Sequence, residues 1–104
     1  MDGRFQEFIS LFNQEKFFEA HEVLESLWRE TQSPDREFYQ GLIQLAAALV
    51  HIQKKTPPGA EYLYAKASKH LSRYPKYHCG LDCDKILRDV RMTLDLQNGF
   101  PKIT

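Results

Sequence analysis

The sequence contains few cysteines and no long apolar run, and these two absences exclude whole classes of protein. Its two cysteines are too few for a scaffold held together by disulfides. The longest stretch without a formal charge lies between Glu37 and Lys54 and is broken by glutamines and a histidine. A membrane-spanning helix needs about 20 apolar residues. Because no basic segment precedes an apolar run near residue 1, we expect no signal peptide, no membrane partner and a cytoplasmic location.

An excess of charge of one sign is also missing, since 14 lysines and arginines balance 14 acidic residues. The resulting pI of about 6.9 is unlike that of a basic nucleic-acid-binding domain. The charge is nevertheless uneven: residues 1–52 carry nine acids and four bases (−5), and residues 53–104 carry five acids and ten bases (+5). We interpret this as attraction between two halves of one bundle. The alternative is a basic face that meets an acidic partner or nucleic acid.

Apolar residues recur at helical spacing along the whole chain, and no segment alternates with the period of a strand for long. The pattern predicts five helices at about residues 2–13, 17–31, 34–55, 58–74 and 83–97. Connectors of a few residues favour antiparallel neighbours. We therefore predict an all-α fold: residues 1–104 form a single compact bundle of about five antiparallel helices, whose helical hairpins loosely resemble tetratricopeptide units.

Several residues mark the ends of the predicted helices. Ser33 and Pro34 are typical of the start of a helix, so they place the beginning of the third helix. Pro75 is predicted to end the fourth helix, and residues 76–81 then form a loop. Asp82 is predicted to cap the fifth helix.

The predicted third helix is apolar around most of its circumference, which is typical of a central helix. Its narrow polar stripe contains Gln40, Gln44 and His51.

Two segments in the predicted second and third helices form a recognisable pattern. Residues 19–28 read Glu-Ala-His-Glu-Val-Leu-Glu-Ser-Leu-Trp, and residues 39–51 read Tyr-Gln-Gly-Leu-Ile-Gln-Leu-Ala-Ala-Ala-Leu-Val-His. This order resembles the bacterial and archaeal family called domain of unknown function 309. The family's signature is His-Glu followed, after five residues, by Trp, and it is matched here by His21, Glu22 and Trp28. The resemblance covers about residues 5–96. It implies a compact helical bundle and no known activity.

The polar residues of the predicted second and third helices form a candidate pocket, made of His21, Glu22, Glu25, Trp28, Gln40, Gln44 and His51. His21 and Glu25 are one helical turn apart, so their side chains can approach a common point. With His51 they would offer two imidazoles and a carboxylate, a workable set of ligands for zinc or another divalent metal. Glu22 or Glu25 could then act as a base toward a metal-bound water.

A structural interpretation of the same residues is favoured over the metal site. Unpaired polar groups in a core cost about 1–3 kcal/mol each, and a network of His21, Glu25 and Gln44 would satisfy all three side chains. Trp28 is interpreted as a core residue, with the wall of a ligand pocket as the alternative.

Two further clusters give weaker signals. His78, Cys79 and Cys83 lack a fourth ligand and a recognised zinc spacing, so we interpret both cysteines as inert thiols. Basic residues and tyrosines alternate over residues 53–77, a composition that can hold single-stranded nucleic acid. Tyr64 and Tyr74, however, fall on the predicted core face of the fourth helix.

These observations lead to a ranked set of functional hypotheses. The leading one is a helical binding or interaction module, without catalysis of its own, whose partner is an unknown protein or small molecule. The second is a metal-dependent hydrolase that uses His21, Glu22, Glu25 and His51. The third is weak RNA binding through the fourth helix. We expect no cofactor outside the divalent metal of the second hypothesis, and a homodimer is a further alternative.

Overall fold

The computed structural model describes residues 3–96 and 99–103, and within them the chain forms five helices and one small hairpin. The helices are α1 (Arg4–Asn13), α2 (Phe17–Glu30), α3 (Arg36–Gln53), α4 (Pro57–Leu71) and α5 (Cys83–Leu96). The strands β1 (Tyr77–His78) and β2 (Leu81–Asp82) pair antiparallel. The predicted all-α bundle is confirmed. The start predicted at Asp2 and the end predicted at Gln97 lie outside the described residues.

Helix α3 lies at the centre of the bundle. It packs against α2 on one side and α4 on the other, and it also touches α5, while α1 covers α2. Eight residues of α3 are buried, namely Phe38, Gly41, Leu42, Ile43, Leu45, Ala46, Ala48 and Leu49. This burial explains why the helix is apolar around most of its circumference, as the sequence indicated. None of the helices in the described ranges is long and apolar enough to cross a membrane.

Helices α3 and α4 approach each other closely at Gly41. A Cβ atom at this position would lie 2.8 Å from both Cγ and Cδ2 of Leu71, which is itself buried. Real side chains do not come this close, so the crossing requires glycine.

The C-terminal segment folds back onto the α1–α2 connection. The backbone N–H of Ile103 donates to Asn13 Oδ1 over 2.7 Å, and the Ile103 side chain is fully buried. The ring of Phe100 packs 5.2 Å from that of Phe17. The sequence analysis predicted none of these contacts, since the segment carries too few residues to show a period.

Three predicted helix ends lie two or three residues beyond the observed ones, and one of them is the end of α3, which is Gln53 rather than residue 55. Helix α3 begins at Arg36 rather than residue 34, because Ser33 and Asp35 form a turn in which Ser33 Oγ accepts a hydrogen bond from the Asp35 N–H over 3.2 Å. Helix α4 ends at Leu71 rather than residue 74. The restriction that Pro75 places on the residue before it explains why the chain leaves the helix early.

The predicted loop at residues 76–81 is in part a hairpin. Cys79 and Gly80 have φ angles of 51° and 77°, so both adopt the left-handed conformation of a two-residue hairpin turn. Strands of two residues show no alternation, so the pattern could not reveal them. The predicted cap of α5 is confirmed, because Asp82 Oδ1 accepts a hydrogen bond from the Lys85 N–H over 3.0 Å.

We expect Gly41→Ala to lower the free energy of unfolding by about 1–3 kcal/mol, because the added Cβ overlaps Leu71 in a packed crossing. At an unhindered helical position the same change raises stability by about 1 kcal/mol. Urea unfolding followed by circular dichroism measures the difference. Gly3→Ala is the control, since a Cβ there meets nothing within 4 Å. Unchanged or higher stability of Gly41→Ala would contradict the close crossing.

Candidate functional site

Two separate hollows lie between α2 and α3, and we call the surface that holds them the α2–α3 groove. One hollow, of about 190 Å³, is lined by Glu25, Trp28, Gln40, Ile43 and Gln44. The other, of about 160 Å³, is lined by Phe18, His21, Ala47, Val50, His51 and Lys54. The lining residues recur every three or four positions on each helix, so each helix contributes one stripe. The end of α2 faces the start of α3, as expected for antiparallel helices.

Six of the seven predicted pocket residues line this groove: His21, Glu25, Trp28, Gln40, Gln44 and His51. The seventh, Glu22, is exposed and lines neither hollow. The two predicted histidines share one hollow, while the glutamines lie in the other with Glu25 and Trp28.

Trp28 packs against the core and also forms a wall of the groove. Its interpretation as a core residue and its interpretation as a pocket wall are therefore compatible. The guanidinium of Arg36 lies 4.0 Å from the centre of the indole ring, in a cation–π contact. The buried indole Nε1 has no hydrogen-bond partner among the described protein atoms, and the same is true of His21 Nδ1. An unsatisfied buried polar group costs about 1–3 kcal/mol, so these two atoms lower the stability of the bundle.

The hydrogen bonds of the groove differ from the predicted network. His21 Nε2 lies 3.3 Å from Glu25 Oε2, and Glu25 also pairs with Arg29. Gln44, however, bonds to α4 instead of His21: its Oε1 accepts a hydrogen bond from His70 Nδ1 over 2.8 Å. His21 is also only half-buried, with 27% of its side chain exposed, whereas the network required a buried histidine.

His70 was missed because its role depends on a helix that is distant in sequence. It precedes the core residue Leu71, and only the crossing of α3 and α4 at Gly41 brings it to Gln44.

His51 is held by the start of α4 and bonds to no other predicted site residue. Its Nδ1 is hydrogen-bonded to Thr56 Oγ1 over 2.7 Å. A Cβ at Gly59 would lie 2.5 Å from the same nitrogen, so this glycine makes room for the imidazole. The orientation of His51 therefore depends on the α3–α4 connector.

The candidate metal ligands His21, Glu25 and His51 do not form a preassembled cluster. Within residues 3–96 and 99–103, one group of three His, Cys, Asp or Glu residues has its ligand atoms all within 4.8 Å of one another. That group is Asp35, His78 and Cys79, which lies at the start of α3 and in the hairpin. The hydrolase hypothesis stays a prediction that requires His51 to move toward His21.

The aromatic residues proposed for RNA binding are divided between surface and interior. Tyr62 and Tyr77 are exposed, with lysine ammonium groups near their rings. Tyr64 and Tyr74 are half-buried and donate hydrogen bonds to the backbone carbonyls of Leu87 and Pro34. Burial raises the pKa of both half-buried tyrosines. Two of the four tyrosines are therefore used within the fold.

A double-mutant cycle tests the observed hydrogen bonding of Gln44. We expect Gln44→Ala and His70→Ala to couple by about 0.5–1.5 kcal/mol in the free energy of unfolding, since each removes the same hydrogen bond. Gln44→Ala and His21→Ala, the matched pair, should be additive to within about 0.5 kcal/mol. Chemical denaturation of the single and double variants gives both values. Stronger coupling to His21 than to His70 would favour the network predicted from the sequence.

Comparison with known proteins places the chain in a family. The sequence profile described as Domain of unknown function (DUF309) matches residues 5–63, which include every residue that lines the α2–α3 groove. Uncharacterized protein YpuF of Bacillus subtilis (strain 168) is 39% identical to the chain over 56 residues, which are 53% of this chain and 32% of that protein. The chain thus spans about a third of the length of this curated relative. The protein belongs to the DUF309 family, whose function is unknown.

Proposed function

We propose that the protein is a binding module whose α2–α3 groove holds a basic amphipathic helix of a partner protein. The observation that carries this proposal is the pair of hollows that follow one another along α2 and α3. Helices packed in such grooves insert regularly spaced side chains into hollows of this kind.

The sizes of the hollows favour a protein partner over a small molecule. Sites for drug-sized molecules usually measure about 300–1,000 Å³. The two hollows measure about 190 and 160 Å³, so each has room for a single side chain. A partner segment with two anchors, that is, two side chains that insert into the groove, would fill both hollows at once.

The length of the groove suits a short helix. The stripe of α3 extends from Gln40 to Lys54, which corresponds to roughly 21 Å at 1.5 Å per residue. By the same rise, the middles of the two hollows are about 12 Å apart along α3. Two helical turns cover about 11 Å, so a partner helix would place anchors seven residues apart into the hollows.

The chemistry of the groove defines the side chains that would fit. Ile43 and Val50 contribute apolar surface, and Phe18, with 51% of its surface exposed, extends it at one end. Gln40 contributes a carboxamide to the hollow lined by Trp28, so an anchor that carries a hydroxyl or amide group is favoured there. Helix α2 carries four glutamates and one arginine, which favours lysine or arginine at the edge of the partner helix.

A larger hollow lies elsewhere but has fewer groups that could recognise a partner. It measures about 460 Å³ and is lined by Ile52, Gln53, Lys55, Pro57 and Phe100. Gln53 already donates a hydrogen bond to the backbone carbonyl of Glu15. Lys55 is the one ionisable residue in this lining. The α2–α3 groove, with a carboxylate, two imidazoles, an indole and two carboxamides, offers more polar contacts.

We also propose a cytoplasmic location for this module. Support comes from the two cysteines, both free thiols: Cys79 is exposed and Cys83 is buried. Free thiols persist in reducing compartments.

Blocking the groove tests the proposal. We expect Ala47→Arg to fill the hollow shared by His21 and His51 and to weaken partner binding by roughly 30-fold or more, the equivalent of a hot-spot contact of about 2 kcal/mol. Affinity capture from extracts of the source organism, with quantitative mass spectrometry, identifies proteins held by the wild type. Titration of a synthetic helix from the captured protein then gives the dissociation constant, with the fluorescence of Trp28, the one tryptophan of the chain, as signal.

Ala65→Arg is the matched control, because Ala65 is exposed on α4 and lines neither hollow. It should leave binding at the wild-type level. Equal binding by both arginine variants would contradict the assignment of the partner site to the α2–α3 groove.

A further inference from the structure

Three different metal-ligating groups meet where the hairpin contacts the start of α3: those of Asp35, His78 and Cys79. Their ligand atoms all lie within 4.8 Å of one another. His78 Nε2 is 2.8 Å from Asp35 Oδ1. None of the three lines either hollow of the α2–α3 groove. We propose that these three residues form a zinc-binding site.

The combination of donor atoms indicates zinc. A thiolate sulfur, an imidazole nitrogen and a carboxylate oxygen together suit zinc, whereas magnesium and calcium prefer oxygen alone. With metal–ligand distances of about 2.0–2.3 Å, ligand atoms around a tetrahedral zinc are separated by roughly 3.3–3.6 Å. The present separations, from 2.8 Å to at most 4.8 Å, bracket this range, so small side-chain movements complete the site.

Tyr74 links the two parts of the site, which are Asp35 at the start of α3 and the hairpin that carries His78. Its hydroxyl donates a hydrogen bond to the Pro34 carbonyl over 2.6 Å and accepts one from the Phe38 N–H over 2.9 Å. Those backbone groups flank Asp35 at the start of α3. The centre of the His78 ring lies 4.6 Å from that of Phe38, in an edge-on contact, and 4.8 Å from that of Tyr74, in a tilted one. The carboxylate and the imidazole are thus supported by the same side chains, as in sites that are organised before metal binds.

The hairpin turn explains how two consecutive residues can reach one ion. Successive side chains of a strand point to opposite faces, so neighbouring strand residues cannot share a metal. Cys79 leaves the strand with a φ angle of 51°, in the left-handed region. The turn is closed at its base by a hydrogen bond from the Cys83 N–H to the Lys76 carbonyl over 2.7 Å.

Charge and exposure at the site suit an incoming cation. The Asp35 carboxylate supplies negative charge beside the imidazole of His78. A thiol that coordinates a divalent ion is deprotonated, so Cys79 would add a second negative charge to the bound ion. Side-chain exposures of 25% for His78 and 37% for Asp35 leave the ion a path from solvent. Three protein ligands leave a fourth position for water.

The site is a property of the fold and is not implied by the family match. His78 and Cys79 lie outside the matched residues 5–63, and Asp35 is 43 positions before His78. The sequence offered His78, Cys79 and Cys83, a set that lacked a fourth ligand. The packing of the hairpin against the start of α3 supplies the missing carboxylate.

Zinc binding by the purified full chain tests this proposal. Metal-free protein is dialysed against zinc chloride, and bound zinc is measured by elemental analysis. We expect about one zinc per chain for the wild type. Cys79→Ser and Asp35→Asn should each weaken binding by more than the roughly 10-fold to 100-fold that loss of an outer-sphere partner costs. Cobalt(II) in place of zinc should give a thiolate-to-cobalt charge-transfer band that Cys79→Ser abolishes.

Matched controls separate this cluster from other thiols and imidazoles of the chain. Cys83→Ala and His51→Ala remove a second thiol and a second imidazole that lie outside the cluster, and both should bind zinc like the wild type. Asp35→Asn keeps an acceptor for His78, so circular dichroism should show an intact fold. Absence of zinc binding by the wild type, or unchanged binding by Cys79→Ser and Asp35→Asn, would overturn the proposal.

Discussion

The burial of α3 between α2 and α4 is the constraint on which the rest of the molecule depends. Eight of its residues are buried, and the contact with α4 is so close that Gly41 has no room for a side chain. A helix covered on two sides keeps only a narrow strip for polar residues. That strip contains Gln40, Gln44 and His51, and it forms one wall of the α2–α3 groove. The position of the groove is therefore a consequence of core packing.

The same helix also organises the hairpin. Its first turn is anchored to the segment after α4 through the two hydrogen bonds of Tyr74. These bonds bring the hairpin, and with it His78, to the carboxylate of Asp35. The groove and the proposed zinc site thus both depend on the position of α3 but use different residues.

Helical periodicity predicted the five helices and most of the groove, because apolar stripes and a central polar strip are local patterns. It misassigned the partner of Gln44, since His70 approaches only through the crossing at Gly41. It also indicated no long-range contact for Asp35. The contact of Asp35 with His78 spans 43 positions and a hairpin too short to show a period. What escaped prediction was therefore long-range pairing between elements.

Native-state hydrogen exchange tests most directly whether α3 is the element on which the fold depends. The account predicts that backbone amides in the buried part of α3, from Leu42 to Leu49, exchange only through global unfolding. Their opening free energy should equal the free energy of unfolding from denaturant titration. Amides of α1, which packs mainly on α2, should open at lower free energy. Exchange of the α3 amides through local openings, at or below the free energy found for α1, would contradict the central role of α3.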